Sequence, residues 1–237
     1  MDKESIIEKL NAEVELKTKW LSLIAHDFKG MFHNIVYLLN AYENKDIPQE
    51  LFLSMLPEIK QIAEKNLKTL DSTFAWVNSH TDGFELHMED ISIYELFLDL
   101  KKELHDKIKS KNISILYMGD ENLVLQSDKL LLTFILKQTL ENAIKYSNKE
   151  NEVVFKSSFE HNALCIEIKD NGIGMSSNVQ DNIFTLNSSP YKGTMSEVGA
   201  GLSLVVVNDF VEKLIGSIEV CSKLNQGTIV KFMFRTK

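Results

Sequence analysis

Three short segments carry residue types that together could hold a nucleotide. Glu141-Asn142-Ala143-Ile144-Lys145-Tyr146 reads as helix, and Asp170-Asn171-Gly172-Ile173-Gly174 reads as the turn after an apolar strand. Gly199-Ala200-Gly201-Leu202 reads as the opening of another helix. Lys145 and Tyr146 follow Asn142 at three and four residues, which puts them on one helix face. An amide oxygen suits magnesium, which keeps several waters and bridges phosphates, and a lysine adds a point charge for those phosphates. Asp170, fixed at a strand end, could accept a bond from the adenine amino group. Gly172 and Gly174 would let the backbone approach the base with no Cβ in the way. Gly199 and Gly201 would leave the first amides of a helix facing phosphate oxygens. The expected ligand is ATP with Mg2+. Taken singly, Asp170 could be a turn carboxylate, Gly199 and Gly201 a plain loop, Lys145 a solvated charge and Tyr146 a packing residue. Their order and their helix and strand context carry the reading.

A second chemical candidate is His26, followed by Asp27. Neutral imidazole is a nucleophile near neutral pH, and a nearby carboxylate can orient it and draw its proton. Consecutive helix residues point about 100° apart, so adjacency alone does not bring Asp27 to the ring.

The elements that must position these groups follow from periodicity. Ile7, Leu10, Val14, Lys17, Leu21, Ile24, Phe28, Met31, Ile35, Leu38 and Tyr42 alternate three- and four-residue steps, a heptad seam with one polar member. In that register His26 lies farthest from the seam, and His33 lies one heptad later on the same outward face. Pro48 is placed to start a second helix, striped by Leu56, Ile59, Ala63, Leu67, Leu70, Phe74 and Val77. Two helices cannot enclose a core alone, whereas two such hairpins make a four-helix bundle, so a homodimer is expected. Gly83 marks the boundary, giving domains 1–82 and 83–237. Beyond it, Ser92-Ile93-Tyr94-Glu95 fits a capping box that opens a helix to about Ile108. Strands are expected at Ile113–Tyr117, Leu123–Leu125, Val153–Phe155, Leu164–Ile168, Ser217–Cys221 and Thr228–Phe234. Helices are expected over Asp128–Tyr146 and Leu202–Leu214. The fold class is α+β: an N-terminal antiparallel helical hairpin in a dimeric bundle, then a two-layer α/β sandwich.

The net charge of −8 argues against a nucleic-acid partner, because phosphate-backbone binding is dominated by Lys and Arg. No apolar run reaches transmembrane length and the start lacks a signal-peptide pattern. Cys165 and Cys221 lie in apolar strand-like stretches without ligand spacing and read as buried reduced thiols. A cytoplasmic location is expected.

The nucleotide segments resemble the ATP-binding domain of the Bergerat-fold ATPases, the group that includes type II topoisomerases, mismatch-repair ATPases and sensor histidine kinases. The resemblance covers residues 84–237. It implies that Asn142 binds magnesium, that Lys145 and Tyr146 contact the nucleotide, and that Asp170 reads adenine with Gly172 and Gly174 beside it. It further implies that Gly199, Gly201 and Leu202 form the second glycine box, and that Thr228 lies near the adenine pocket. Ile183-Phe184 would anchor a lid over residues 175–198. Four residues before the magnesium Asn, hydrolytic members carry a Glu that activates water. Here it is Gln138, an amide that cannot act as a general base, which favours a kinase.

Trp-Leu-Ser-Leu-Ile-Ala-His-Asp-Phe-Lys-Gly-Met-Phe-His-Asn, residues 20–34, resembles the phosphoacceptor box of sensor histidine kinases. Residues 76–83 resemble the end of the second dimerisation helix in one subgroup. The implied function is autophosphorylation of His26 from Mg-ATP, assisted by Asp27, and transfer to an aspartate of a response-regulator receiver domain. Gly30 stands where the family often holds a water with Thr or Asn, implying weak phosphatase activity. Met31 replaces a usual Pro, Ser203 a common Gly, and Gln138 the usual first Asn of its box. The alternative is a catalytically weak or inactive kinase-like dimer serving as a binding or phosphotransfer module. A protein-serine kinase or anti-sigma-type regulator is disfavoured by the His-Asp helix.

Overall fold

The computed structural model describes residues 29, 32–33, 35–79, 84–160, 162–185, 193–195 and 203–235. His26, Asp27, Gly30, Met31, Gly199, Gly201 and Leu202 therefore lie outside the described residues. The chain divides between residues 81 and 82 into two compact units.

In the first unit, helix α1 (35–43) ends in a turn where Lys45 takes the left-handed conformation and the amides of Asp46 and Ile47 both reach the Ala41 carbonyl. Helix α2 (Gln49–Ser79) starts immediately after Pro48, where a missing N–H costs nothing. The rings of Tyr42 and Phe52 stack across the turn at 4.6 Å. Leu38 and Ala41 are buried, whereas Phe32, Tyr37, Leu67 and Phe74 are each more than half exposed.

The second unit holds a five-stranded sheet in the order β2-β4-β5-β7-β6 and a separate two-stranded sheet of β1 and β3. Their ranges are β1 (Met88–Ser92), β2 (Ser114–Met118), β3 (Val124–Asp128), β4 (Glu152–Glu160), β5 (Ala163–Asp170), β6 (Gly216–Lys223) and β7 (Gly227–Arg235). The helices are α3 (Ile93–Glu103), α4 (His105–Lys111), α5 (Lys129–Tyr146), α6 (Ser177–Gln180) and α7 (Ser203–Lys213).

Side chains alternate faces along a strand. Leu164, Ile166 and Ile168 of β5 pair in register with Phe234, Phe232 and Val230 of β7, and all six are buried. Helix α5 lays Leu132, Ile135, Leu136, Ala143 and Ile144 into this core, and Phe134 meets Phe210 of α7 edge-on at 5.1 Å. The opposite sheet face carries Lys156, Lys169 and Met233 in the open.

Local signals explain the element ends. The Ser92 hydroxyl accepts from the Glu95 amide, the expected N-cap of α3. Asp128 caps α5 by accepting the Leu131 amide on one oxygen, and its other oxygen takes the His87 amide. Three expectations are corrected. The helix anticipated from Ser92 to Ile108 breaks at Leu104, whose backbone leaves the helical region, and resumes as α4 as far as Lys111. Strand β1 was not anticipated, because Met88-Glu89-Asp90 exposes all three side chains and so lacks the alternation of a half-buried strand. Cys221 is exposed rather than buried: it sits on edge strand β6 with its side chain on the solvent face, while Cys165 is buried.

Candidate nucleotide site

Asp170 is the last member of the inward-facing row Leu164, Ile166, Ile168, and the alternation of β5 turns its carboxylate into the core edge. Its Oδ1 accepts the amide of Gly172 at 2.8 Å and that of Thr228, its register partner on β7, at 3.2 Å. Both bonds use Oδ1, so Oδ2 has no partner among the described residues. Burial pushes the carboxyl up to about 6, and the two amide bonds only partly oppose the shift.

The glycines hold the turn around this carboxylate. A Cβ on Gly172 would run into the carbonyl of Tyr146. The amide of Ile173 donates to that carbonyl at 3.1 Å. Gly174 and Gly227 have positive φ, of 61° and 84°, and a Cβ would strike the carbonyl of Lys223 or of Asp170 respectively. The Ser222 hydroxyl closes the turn: it accepts the Met175 amide and meets the Thr228 hydroxyl at 2.9 Å. The Ser222 amide in turn donates to Gln180 of α6.

Along α5, Gln138, Asn142, Lys145 and Tyr146 form a half-exposed stripe beside the buried one, as steps of four, three and one around a helix require. The Lys145 ammonium lies 4.7 Å over the Tyr146 ring and 3.1 Å from its hydroxyl. Glu141 points elsewhere, paired with Lys107 of α4 at 2.6 Å. Ile183 is buried and Phe184 partly so.

Thr228, Asp170, Gly172 and the end of α5 are thus joined by direct contacts, with Asn142 one turn earlier on the same helix. Three residues were not anticipated. Ser222 braces the β6–β7 turn. Lys111 is 2% exposed, and its ammonium lies on the final carbonyls of α5 and on the Thr194 hydroxyl. In sequence, Lys107 to Lys111 looks like a solvated lysine-rich helix end, and only the coordinates separate Lys111 from its neighbours.

This arrangement, a mixed sheet under helices with an aspartate-glycine turn facing an asparagine-bearing helix, defines a Bergerat-type ATP-binding domain. Residues 127–237 match the family described as histidine kinase-, DNA gyrase B- and HSP90-like ATPases. The sensor histidine kinase YvrG of Bacillus subtilis (strain 168) is 25% identical over 237 residues, covering 96% of this chain and 39% of that protein. The histidine protein kinase SaeS of Staphylococcus epidermidis (strain ATCC 12228 / FDA PCI 1200) is 27% identical over 236 residues, covering 94% and 66%. The chain therefore spans 39% to 66% of the length of these relatives. A solved complex of histidine kinase ThkA with response regulator protein TrrA shares the fold at a TM-score of 0.70 and 17% identity, covering 97% of this chain and 64% of that one. The chain carries the ATP-binding catalytic core of a sensor histidine kinase.

Proposed function

We propose that this chain is the kinase portion of a two-component signalling protein, in which His26 takes the γ-phosphoryl group of ATP and passes it to a response-regulator aspartate. The observation that supports this best is the buried Asp170 carboxylate, held on one oxygen and open on the other, next to the Asn142-Lys145-Tyr146 stripe. Its open oxygen would accept the adenine amino group. Thr228, bonded to Ser222, would line the same end, and Gly172 and Gly174 would let the base lie against the backbone. Gly199, Gly201 and Leu202 would serve the phosphates. The donor set fits a phosphate-borne ion. Asn142 offers one neutral oxygen, and among the described residues no group of three His, Cys, Asp or Glu is placed to hold a metal. Mg2+, when bound, supplies charge neutralisation on the β- and γ-phosphates.

An imidazole nitrogen of His26 attacks the γ-phosphorus, the bond to the β–γ bridging oxygen breaks, and ADP leaves. Asp27 takes the ring proton. The phosphoryl group then moves from the imidazole to a carboxylate oxygen of the receiver domain. Gln138 at the position of a water-activating Glu, with Glu141 tied to Lys107, disfavours hydrolysis. That ThkA was solved in complex with a response regulator supports the choice of acceptor. In this reading residues 1–82 are the dimerisation and phosphotransfer domain and residues 83–237 the catalytic domain. The reaction is placed in the cytoplasm, where ATP and free thiols coexist.

Labelled ATP should mark wild type and His33→Ala but leave His26→Ala unmarked. Label retained in His26→Ala and lost in His33→Ala would overturn the acceptor assignment. A chase with a receiver domain should drain the label, and regulator phosphate should persist, because Gly30 has no side chain to hold an attacking water.

A further inference from the structure

Lys111 closes the C-terminal end of α5. Its Nζ donates to the carbonyls of Ile144 at 3.0 Å and Lys145 at 2.6 Å, and to the Thr194 hydroxyl at 2.7 Å. The Ser147 carbonyl lies farther off at 3.3 Å, but the Thr194 hydroxyl reaches it at 2.5 Å. An ammonium has three protons and a hydroxyl one, and each of them has an acceptor within reach in this set. The Thr194 amide also donates to the Lys145 carbonyl at 3.2 Å. These are the last carbonyls of a helix, which have no intrahelical partner and carry its negative end, so a cation there is doubly favoured.

The consequence extends past the helix end. The clamped carbonyls belong to Ile144, Lys145 and Ser147, and the Tyr146 carbonyl, lying between the last two, takes the Ile173 amide at the floor of the site. Lys111 and Thr194 thus fix the backbone from which the Lys145 ammonium projects, relative to the turn that carries Asp170. We infer that the Lys111–Thr194 pair positions the phosphate-contacting end of α5, so that affinity for nucleotide phosphates depends on the Thr194 hydroxyl. Neither residue touches the nucleotide in this scheme, and both act through Lys145 and Tyr146. The inference rests on the ATP-site reading above.

The test is binding of AMP, ADP and ATP, each with Mg2+, to the full chain by calorimetry, with thermal unfolding of the unliganded protein beside it. Thr194→Val keeps the shape and deletes the hydroxyl, leaving Lys111 three carbonyls, so it is the variant expected to fold. It should weaken ADP and ATP about fivefold to tenfold, the loss of one partly buried hydrogen bond, and AMP much less. Thr194→Ser should restore the affinity. Lys111→Met should weaken ADP and ATP at least as much, and adding Thr194→Val to it should cost little more. Equal weakening of all three nucleotides by Thr194→Val, or a lowered melting temperature with unchanged affinities, would show a purely structural plug and overturn the inference. A wild-type protein that binds none of them would instead overturn the ATP-site reading.

Discussion

At the scale of the residue, the buried Asp170 carboxylate comes at a cost to folding. Its carboxyl is raised to about 6 from an ordinary value of 3.8, because burial disfavours the charge. The folded state therefore holds the proton more tightly than the unfolded chain between those values. Stability falls as pH rises through that window, and above it the penalty is on the order of 3 kcal/mol. Asp170→Asn keeps an oxygen for the amides of Gly172 and Thr228 and removes the charge. The unliganded variant should melt above wild type at pH 8, and the difference should shrink towards pH 4. The same variant should lose nucleotide binding. In wild type, nucleotide affinity should fall as pH drops below about 6, as read by titration across pH 5 to 8. The position of Asp170 was legible in the sequence, since an alternating strand running into Asp-Asn-Gly fixes which way the carboxylate turns. Lys111 was not, because a lysine among lysines on a short helix carries no pattern that distinguishes a buried ammonium from a solvated one.

At the scale of the element, the site depends on how closely α5 rests on the turn after β5. Gly172 makes that approach possible, since any Cβ there would meet the Tyr146 carbonyl. Gly172→Ala should push the helix end away from the turn, lowering stability by about 1–3 kcal/mol, the usual range for overpacking. Nucleotide affinity should fall with it, measured by denaturant titration and by calorimetry on the same preparation. Unchanged values for both would mean that the end of α5 and the turn move independently. Most helices and strands here follow from periodicity and caps, and Ser92 and Asp128 mark their helix starts as the sequence indicates. Strand β1, and with it the pairing to β3, does not follow, because Met88, Glu89 and Asp90 are all exposed and leave no alternation to read. Nor does the break at Leu104, where a buried leucine interrupts an otherwise continuous helical pattern.

At the scale of the whole molecule, several large apolar side chains of the first unit are exposed. Leu67 and Phe74 are each 58% exposed although both belong to the expected apolar stripe of α2. Exposed apolar stripes of this kind mark association surfaces, and a second copy of the hairpin presents the same stripe under two-fold symmetry. Light scattering should find a dimer, and Leu67→Glu with Phe74→Glu should yield a monomer that still binds ATP. A monomeric wild type would remove the bundle from the proposed function. The second unit shows a different dependence. Asp170 needs the Thr228 amide, and β7 is the last strand of the sheet in chain order, inserted between β5 and β6. Without β7, strand β6 loses its neighbour in the sheet and Asp170 loses the Thr228 amide, so a variant truncated before Gly227 should fail to bind nucleotide in calorimetry.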